Sequence, residues 1–375
     1  MAGSLLQRRP DVGDRAAGAL LGLALGIHLE AGPDAAARIA TLEHAAEIAA
    51  HGVHVVDALA GHGATHLVMG PLALAHLGDD EAGLARAARD LAVVRHLDEA
   101  LAEELVAWAV AVRRAVRDVR LDARLERLAG RRDELVASDL VPLVTLAARP
   151  DGPPGSAATI GALAGGRWGA SAMPFAWRRS LDHHTPRLAG RLVRRAMLAV
   201  NGGAPVEEAW PLVPMLAGPR LGQAPFLHEL DEDPGVVLGN RAALPDAIPE
   251  VDAVVSLCLV DSQEVPAHLE HHEVVLVDRA DAAANPNLPL VLADTAEAIA
   301  TLRDEGKRVF VHCLAGRSRL PTAVAAYLAR RAGLRGPEAF ARVAAQVPHP
   351  DPLNRAFQQA LERIGPEEGQ HPPDD

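Results

Sequence analysis

The segment VFVHCLAGRSRLPTAVAAYLARR (309–331) holds one of only two cysteines in the chain. His312 stands directly before Cys313, and Arg319 follows at the sixth position after it. A cysteine and an arginine so placed can flank a phosphoryl group. The thiolate attacks phosphorus, and the guanidinium grips two oxygens at once and follows the charge as the group becomes trigonal. The spacing alone is a weak signal, and its context gives it weight. RVFVH reads as a buried strand that delivers Cys313 to the C-terminal edge of a parallel sheet, where α/β proteins place their ligands. Leu314, Ala315, Gly316, Arg317 and Ser318 read as a tight phosphate-binding loop. LPTAVAAYLARR then begins a helix whose first turn tolerates Pro321. Unpaired N–H groups and the positive dipole end at that helix N-terminus can hold phosphate oxygens and stabilise a thiolate. His312 is expected to point back towards the sheet, tuning the thiolate rather than acting as a base. The other cysteine, Cys258 in AVVSLCLV, reads as a buried core residue.

The elements that must position these groups follow from hydrophobic pattern. Short Val-rich runs at 234–239, 251–260, 273–278 and 308–313 read as buried strands. Helical stretches at 290–306, 320–333 and 354–365 lie between or after them. That alternation predicts an α/β domain over 226–364, a mostly parallel sheet flanked by helices. Residues 1–210 read instead as an all-α domain. Its glycines at 18, 22 and 26 recur every four positions, share one helix face and let a second helix approach closely. PLALAHLG (71–78), DEALAEELVAWAVAVRRAVRDV (98–119, with Asp98 as a cap), DARLERLAG (122–130) and TPRLAGRLVRRAMLAV (185–200) carry helical spacing. Residues 211–225 form a Pro/Gly-rich linker and 365–375 a polar, Pro-rich tail expected to be disordered.

Composition bounds the function. A net charge of −12 and a pI of about 5.8 argue against a nucleic-acid partner, which would need a basic face. Two cysteines give no disulfide framework, so a reducing cytoplasm is the expected compartment. No zinc spacing occurs among the histidines. The apolar run 16–27 is too short to span a bilayer and reads as a buried helix, so no membrane partner is expected.

VFVHCLAGRSR resembles the His-Cys-x5-Arg motif of the cysteine-dependent protein tyrosine and dual-specificity phosphatases. The similarity extends over about 226–364: VVLGNRAALPDAIPEVDAVVSLC resembles that family's opening strand, helix and second strand. NRAFQQALERI after VPHPDP resembles its closing Phe-x-x-x-Leu segment. The resemblance implies a phosphorylated protein or small phosphoester as substrate, a cysteinyl-phosphate on Cys313 and no metal or cofactor. It also implies an aspartate that protonates the leaving oxygen. VVLVDRADAAANP offers Asp278 at the expected strand end and Asp281 beyond it, and Asp278 is preferred. One departure stands out. Leu320 occupies the place where the family has a Ser or Thr whose hydroxyl eases breakdown of the phosphoenzyme. Thr322, two positions on, faces another direction. The expectation is an intact first step and a slow second one, with a pseudophosphatase that binds without turnover as the alternative.

The first half is similar to the ADP-ribosylglycohydrolases. DRAAGALLGLALG (14–26) resembles their opening helix, and GALAGGRWGASAMP (161–174) a late Gly/Ala-rich one. That family's chemistry depends on carboxylates binding magnesium. Here the corresponding positions are Gly26-Ile27, Thr65-His66-Leu67-Val68 and PPGSAA. The implied reading is a degenerate helical scaffold without metal, with residual glycohydrolase activity as a further alternative.

Overall fold

The computed structural model describes residues 11–30, 34–51, 54–61, 65–117, 156–200, 224–258, 260, 264–274, 276–280 and 285–365. It comprises two compact units, Met1–Val206 and Glu207–Asp375. DARLERLAG, the loop residues 149–155, the linker up to residue 223 and the tail beyond Gly365 lie outside the described residues.

The first unit is helical. Its described helices are α1 (Asp11–Glu30), α2 (Ala35–His51), α3 (Val55–Leu59), α4 (Thr65–Ala75), α5 (Glu81–Val94), α6 (Glu99–Val116), α7 (Ser156–Trp168), α8 (Phe175–Asp182) and α9 (Leu188–Val200). The glycine face of α1 meets α7 backbone to backbone. A Cβ on Gly18 would sit 2.1 Å from the carbonyl oxygen of Gly165, one on Gly22 1.9 Å from that of Gly161, and one on Gly26 2.2 Å from that of Ala157. The partners descend as the glycines ascend, so the two helices run antiparallel, and any side chain on this seam would force them apart. By length and composition α1 could cross a membrane, yet 78% of its apolar window is buried, the signature of a core helix. Asp98 caps α6 by accepting from the Leu101 N–H at 2.9 Å, which satisfies one of the four orphan donors of that terminus.

The second unit is a five-stranded sheet in the order β1-β2-β5-β3-β4. The strands are β1 (Leu227–Leu230), β2 (Asp233–Asn240), β3 (Ala253–Ser256), β4 (Glu270–Glu273) and β5 (Val309–Cys313). Its helices are α10 (Leu244–Ala247), α11 (Leu288–Asp304), α12 (Arg319–Ala332), α13 (Gly336–Ala345) and α14 (Arg355–Leu361). β5 is buried throughout and runs parallel to β2 on one side and β3 on the other, as a mostly apolar run covered on both faces requires. The sheet is mixed rather than purely parallel, because β1 joins β2 antiparallel across a tight Asp231–Glu232 turn. That edge strand, with the sequence LHEL, shows no apolar alternation and was not expected.

A second correction concerns EVVLVD. The fourth strand is EHHE at 270–273, parallel to β3, and the predicted run 273–278 only begins at its end. Val274, Leu276 and Val277 are buried as their types demand. Val277, however, is held by a side chain instead of a neighbouring strand. The Asn285 amide accepts from the Val277 N–H at 2.8 Å and donates to the Val277 carbonyl at 2.7 Å. A single asparagine thus replaces a ladder partner, and Asp278 sits in an irregular segment beyond the strand rather than at its end.

Candidate active site

Parallel pairing sets Ser256 opposite His312 and carries β5 to its last residue, Cys313. The Leu257 N–H donates to the His312 carbonyl at 2.8 Å and extends the ladder to the rim. There the chain turns on Gly316 at φ +74°, a left-handed conformation that glycine adopts without penalty. The turn aims the Gly316 N–H at Cys313 Sγ, 3.1 Å away. Gly316 is required a second time by crowding, since a Cβ there would lie 2.3 Å from the Phe226 ring. The same entry segment is tied down by Asn240, whose amide donates to the Ala224 carbonyl at 2.9 Å.

The rest of the loop is anchored outward. The Leu314 carbonyl accepts from the Arg241 N–H at 3.3 Å. Arg317 turns away from the sulfur, donating to the His349 carbonyl at 2.9 Å and to Asp351 Oδ1 at 2.5 Å. Of the loop residues, then, Arg317 is a strut and Gly316 supplies the donor. Ser318 Oγ donates to Asp278 Oδ1 at 2.8 Å, which ties the aspartate to the loop. Asp281 lies outside the described residues.

Arg319 opens α12. Its Nη1 donates to the carbonyls of Leu257 at 2.7 Å and Leu276 at 3.3 Å, fixing the guanidinium between two chain segments. Its Nε is buried without a hydrogen-bond partner. A buried donor left unpaired costs about 1–3 kcal/mol, a cost that an acceptor reaching this Nε would relieve. Leu320 is fully buried. The Thr322 hydroxyl donates to the Ser318 carbonyl one turn back, at 2.9 Å, and is not directed at the sulfur.

Under the loop, His312 Nε2 lies 2.7 Å from Ser256 Oγ, and Ser256 Oγ lies 2.9 Å from His271 Nε2. The imidazole stacks on Phe310 with ring centroids 5.1 Å apart. Burial pushes the His312 pKa down to about 3, against the Cys313 carbonyl, with Arg241 and Arg319 adding to the depression. His312 is therefore neutral at physiological pH and is no proton acceptor for the reaction. Burial likewise pushes the Cys258 thiol up to about 12. Ser256, His271, Asn285 and Phe226 were not legible as site residues in the sequence. They come from other segments of the chain and carry no motif.

In the helical unit, Ile27, Leu67 and Val68 are buried core residues. Burial, with the Arg38 charge adding, pushes the His66 pKa down to about 4.

Residues 245–364 match the family described as "Dual specificity phosphatase, catalytic domain". This segment of the chain is a dual-specificity-phosphatase catalytic domain, and its phosphatase class suggests phosphorylated substrates. No curated protein matches the chain. Among solved structures, human DUSP28 is similar at 24% identity over 37% of this chain and 92% of that one, with a TM-score of 0.32. PTPMT1 in complex with PI(5)P is similar at 22% identity over 36% of this chain and 92% of that one, TM-score 0.30. OH1 from the Orf virus, described as a tyrosine phosphatase with triple substrate specificity, is similar at 20% identity over 39% and 89%, TM-score 0.30.

Proposed function

We propose that the second unit hydrolyses phosphomonoesters through a cysteinyl-phosphate intermediate, acting on a phosphorylated protein or small phosphoester in the reducing cytoplasm. The Cys313 thiolate attacks phosphorus while the bond to the leaving oxygen breaks, and Asp278 gives that oxygen its proton. Water then attacks the phosphorus, Asp278 takes the water's proton, and the sulfur leaves as thiolate with release of phosphate. Arg319 and the loop amides carry the charge of both transition states. One observation supports this reading above the others. Arg319 is clamped by two carbonyls at Nη1 and keeps a buried Nε–H for an oxyanion beside the loop that holds Cys313.

A second reading, a pseudophosphatase that holds its phosphorylated partner, is favoured by Leu320 and by the Thr322 hydroxyl bound to Ser318. Neither side chain offers the sulfur a hydroxyl when the phosphoenzyme breaks down. Assay of the wild type and Cys313→Ser on an aryl phosphate with EDTA present separates the two. Hydrolysis must occur in the wild type and vanish in the variant. Vanadate binding without any product release would leave the binding reading in its place.

A further inference from the structure

The chain of polar groups behind Cys313 has a direction, and that direction follows from counting donors and acceptors. Ser256 and His312 are fully buried and His271 is nearly so. Three polar side chains in a sheet core are costly unless every proton is placed. They lie on one face, because directly paired residues share a face. Ser256 stands opposite His312, and His271 lies two rungs below, opposite Val254. The same face carries the apolar cluster of Val237, Val254, Cys258 and Phe310. The charged groups near it are Arg241 and Arg319 and, beside Cys258, Glu273.

His312 Nδ1 faces the Cys313 carbonyl at 3.4 Å and Cys258 Sγ at 4.0 Å. The carbonyl only accepts, so a bare Nδ1 lone pair there would face another lone pair. A proton on Nδ1 serves both contacts, the carbonyl and the Cys258 sulfur, and leaves Nε2 an acceptor; the opposite tautomer leaves only the weak Cys258 S–H to face Nδ1 and sets its lone pair against the carbonyl. Among the described residues Nε2 accepts from the Ser256 hydroxyl, whose single hydrogen is thereby committed. The serine oxygen is left to accept, and the His271 Nε2–H supplies that bond.

We propose that Ser256 and His271 are positioning residues for the candidate nucleophile: His271 donates to Ser256, Ser256 donates to His312, and His312 donates to the Cys313 carbonyl. The last bond turns that carbonyl towards the sheet. In a planar trans peptide the following N–H points the opposite way, so the relay aims the Leu314 N–H away from the sheet and into the loop. The inference rests on the phosphatase reading for its purpose, though not for its test.

Two measurements test it on the full chain. Long-range ¹⁵N–¹H spectra of histidine-labelled protein, assigned with His312→Gln, should find the His312 proton on Nδ1. Ser256→Ala should shift it towards Nε2, and Ser256→Thr should restore it. Peptide-resolved alkylation of Cys313 by iodoacetate at mildly acidic pH should slow about tenfold in Ser256→Ala, the worth of one hydrogen bond. His271→Phe should slow it similarly, while His271→Gln, which keeps a donor, stays within about twofold. The His271 pair keeps the test open if Ser256→Ala fails to fold. A proton on Nε2 in the wild type, or unchanged alkylation in His271→Phe, overturns the relay. Alkylation needs no turnover. A shift in an inactive wild type would therefore sink the phosphatase reading alone, and an active enzyme indifferent to these changes would sink the relay alone.

Discussion

Cys258 and Cys313 make an informative pair. Both are buried; Cys313 ends β5 and Cys258 lies just past the end of the adjacent parallel strand β3, and the His312 imidazole faces the Cys258 sulfur and the Cys313 carbonyl. Cys258 stands among Val254, Val260, Leu269 and Phe310, and burial there holds its thiol up near about 12. Cys313 instead receives the Gly316 N–H and opens a loop that ends on Arg319. Residue type and burial are shared, and each lies at or just past a strand end, so what separates them is the loop. A glycine in the left-handed region and a helix N-terminus turn a core-like cysteine into a candidate nucleophile.

The sharpest way to break this comparison is to exchange the residues' fates. Cys313→Ser is expected to abolish turnover of an aryl phosphate, while Cys258→Ala keeps it and loses only stability. Equal losses from both changes would show that the loop is not what distinguishes them. Next in size, Asp278→Asn should lower kcat/KM, which reports formation of the phosphoenzyme, by about 10²- to 10⁴-fold, the usual worth of a positioned acid. Its effect should shrink for substrates with leaving groups that need no proton. A uniform loss across leaving groups would move the role elsewhere, with Asp281 the first alternative. Leu320→Ser should raise steady-state turnover several-fold and erase any initial burst. It should also lower the melting temperature, since a fully buried leucine is lost. The smallest effect is on acid stability. The folded pKa of His66 is about 4, below the unfolded value near 6.5. Between those limits the unfolded chain binds a proton that the folded one refuses, so stability falls as pH falls. His66→Phe should flatten that part of the melting-temperature profile.

The loop was legible because it is contiguous: strand, cysteine, glycine, arginine and helix follow one another within one stretch of sequence. The glycine seam of α1 was legible for the same reason, as a period of four on a single helix. What sequence could not supply were groups brought in from other strands. EHHE carries no apolar alternation, so β4 was placed a few residues late, and with it went His271 and its link to Ser256. Asn285 was invisible because a side-chain amide does there what a strand would ordinarily do. Phe226 follows a Pro/Gly-rich stretch, where an aromatic pressed against a loop glycine leaves no local pattern.

The most direct test of the central claim is to trap the intermediate. The protein is mixed with an aryl phosphate, quenched within the first turnover, and its peptides are weighed. The account predicts one added phosphoryl group on the peptide containing Cys313, accumulating because Leu320 leaves the second step slow, and none on the Cys258 peptide. Product release with no phosphoryl group ever found on Cys313, under conditions that preserve phosphocysteine, would contradict it.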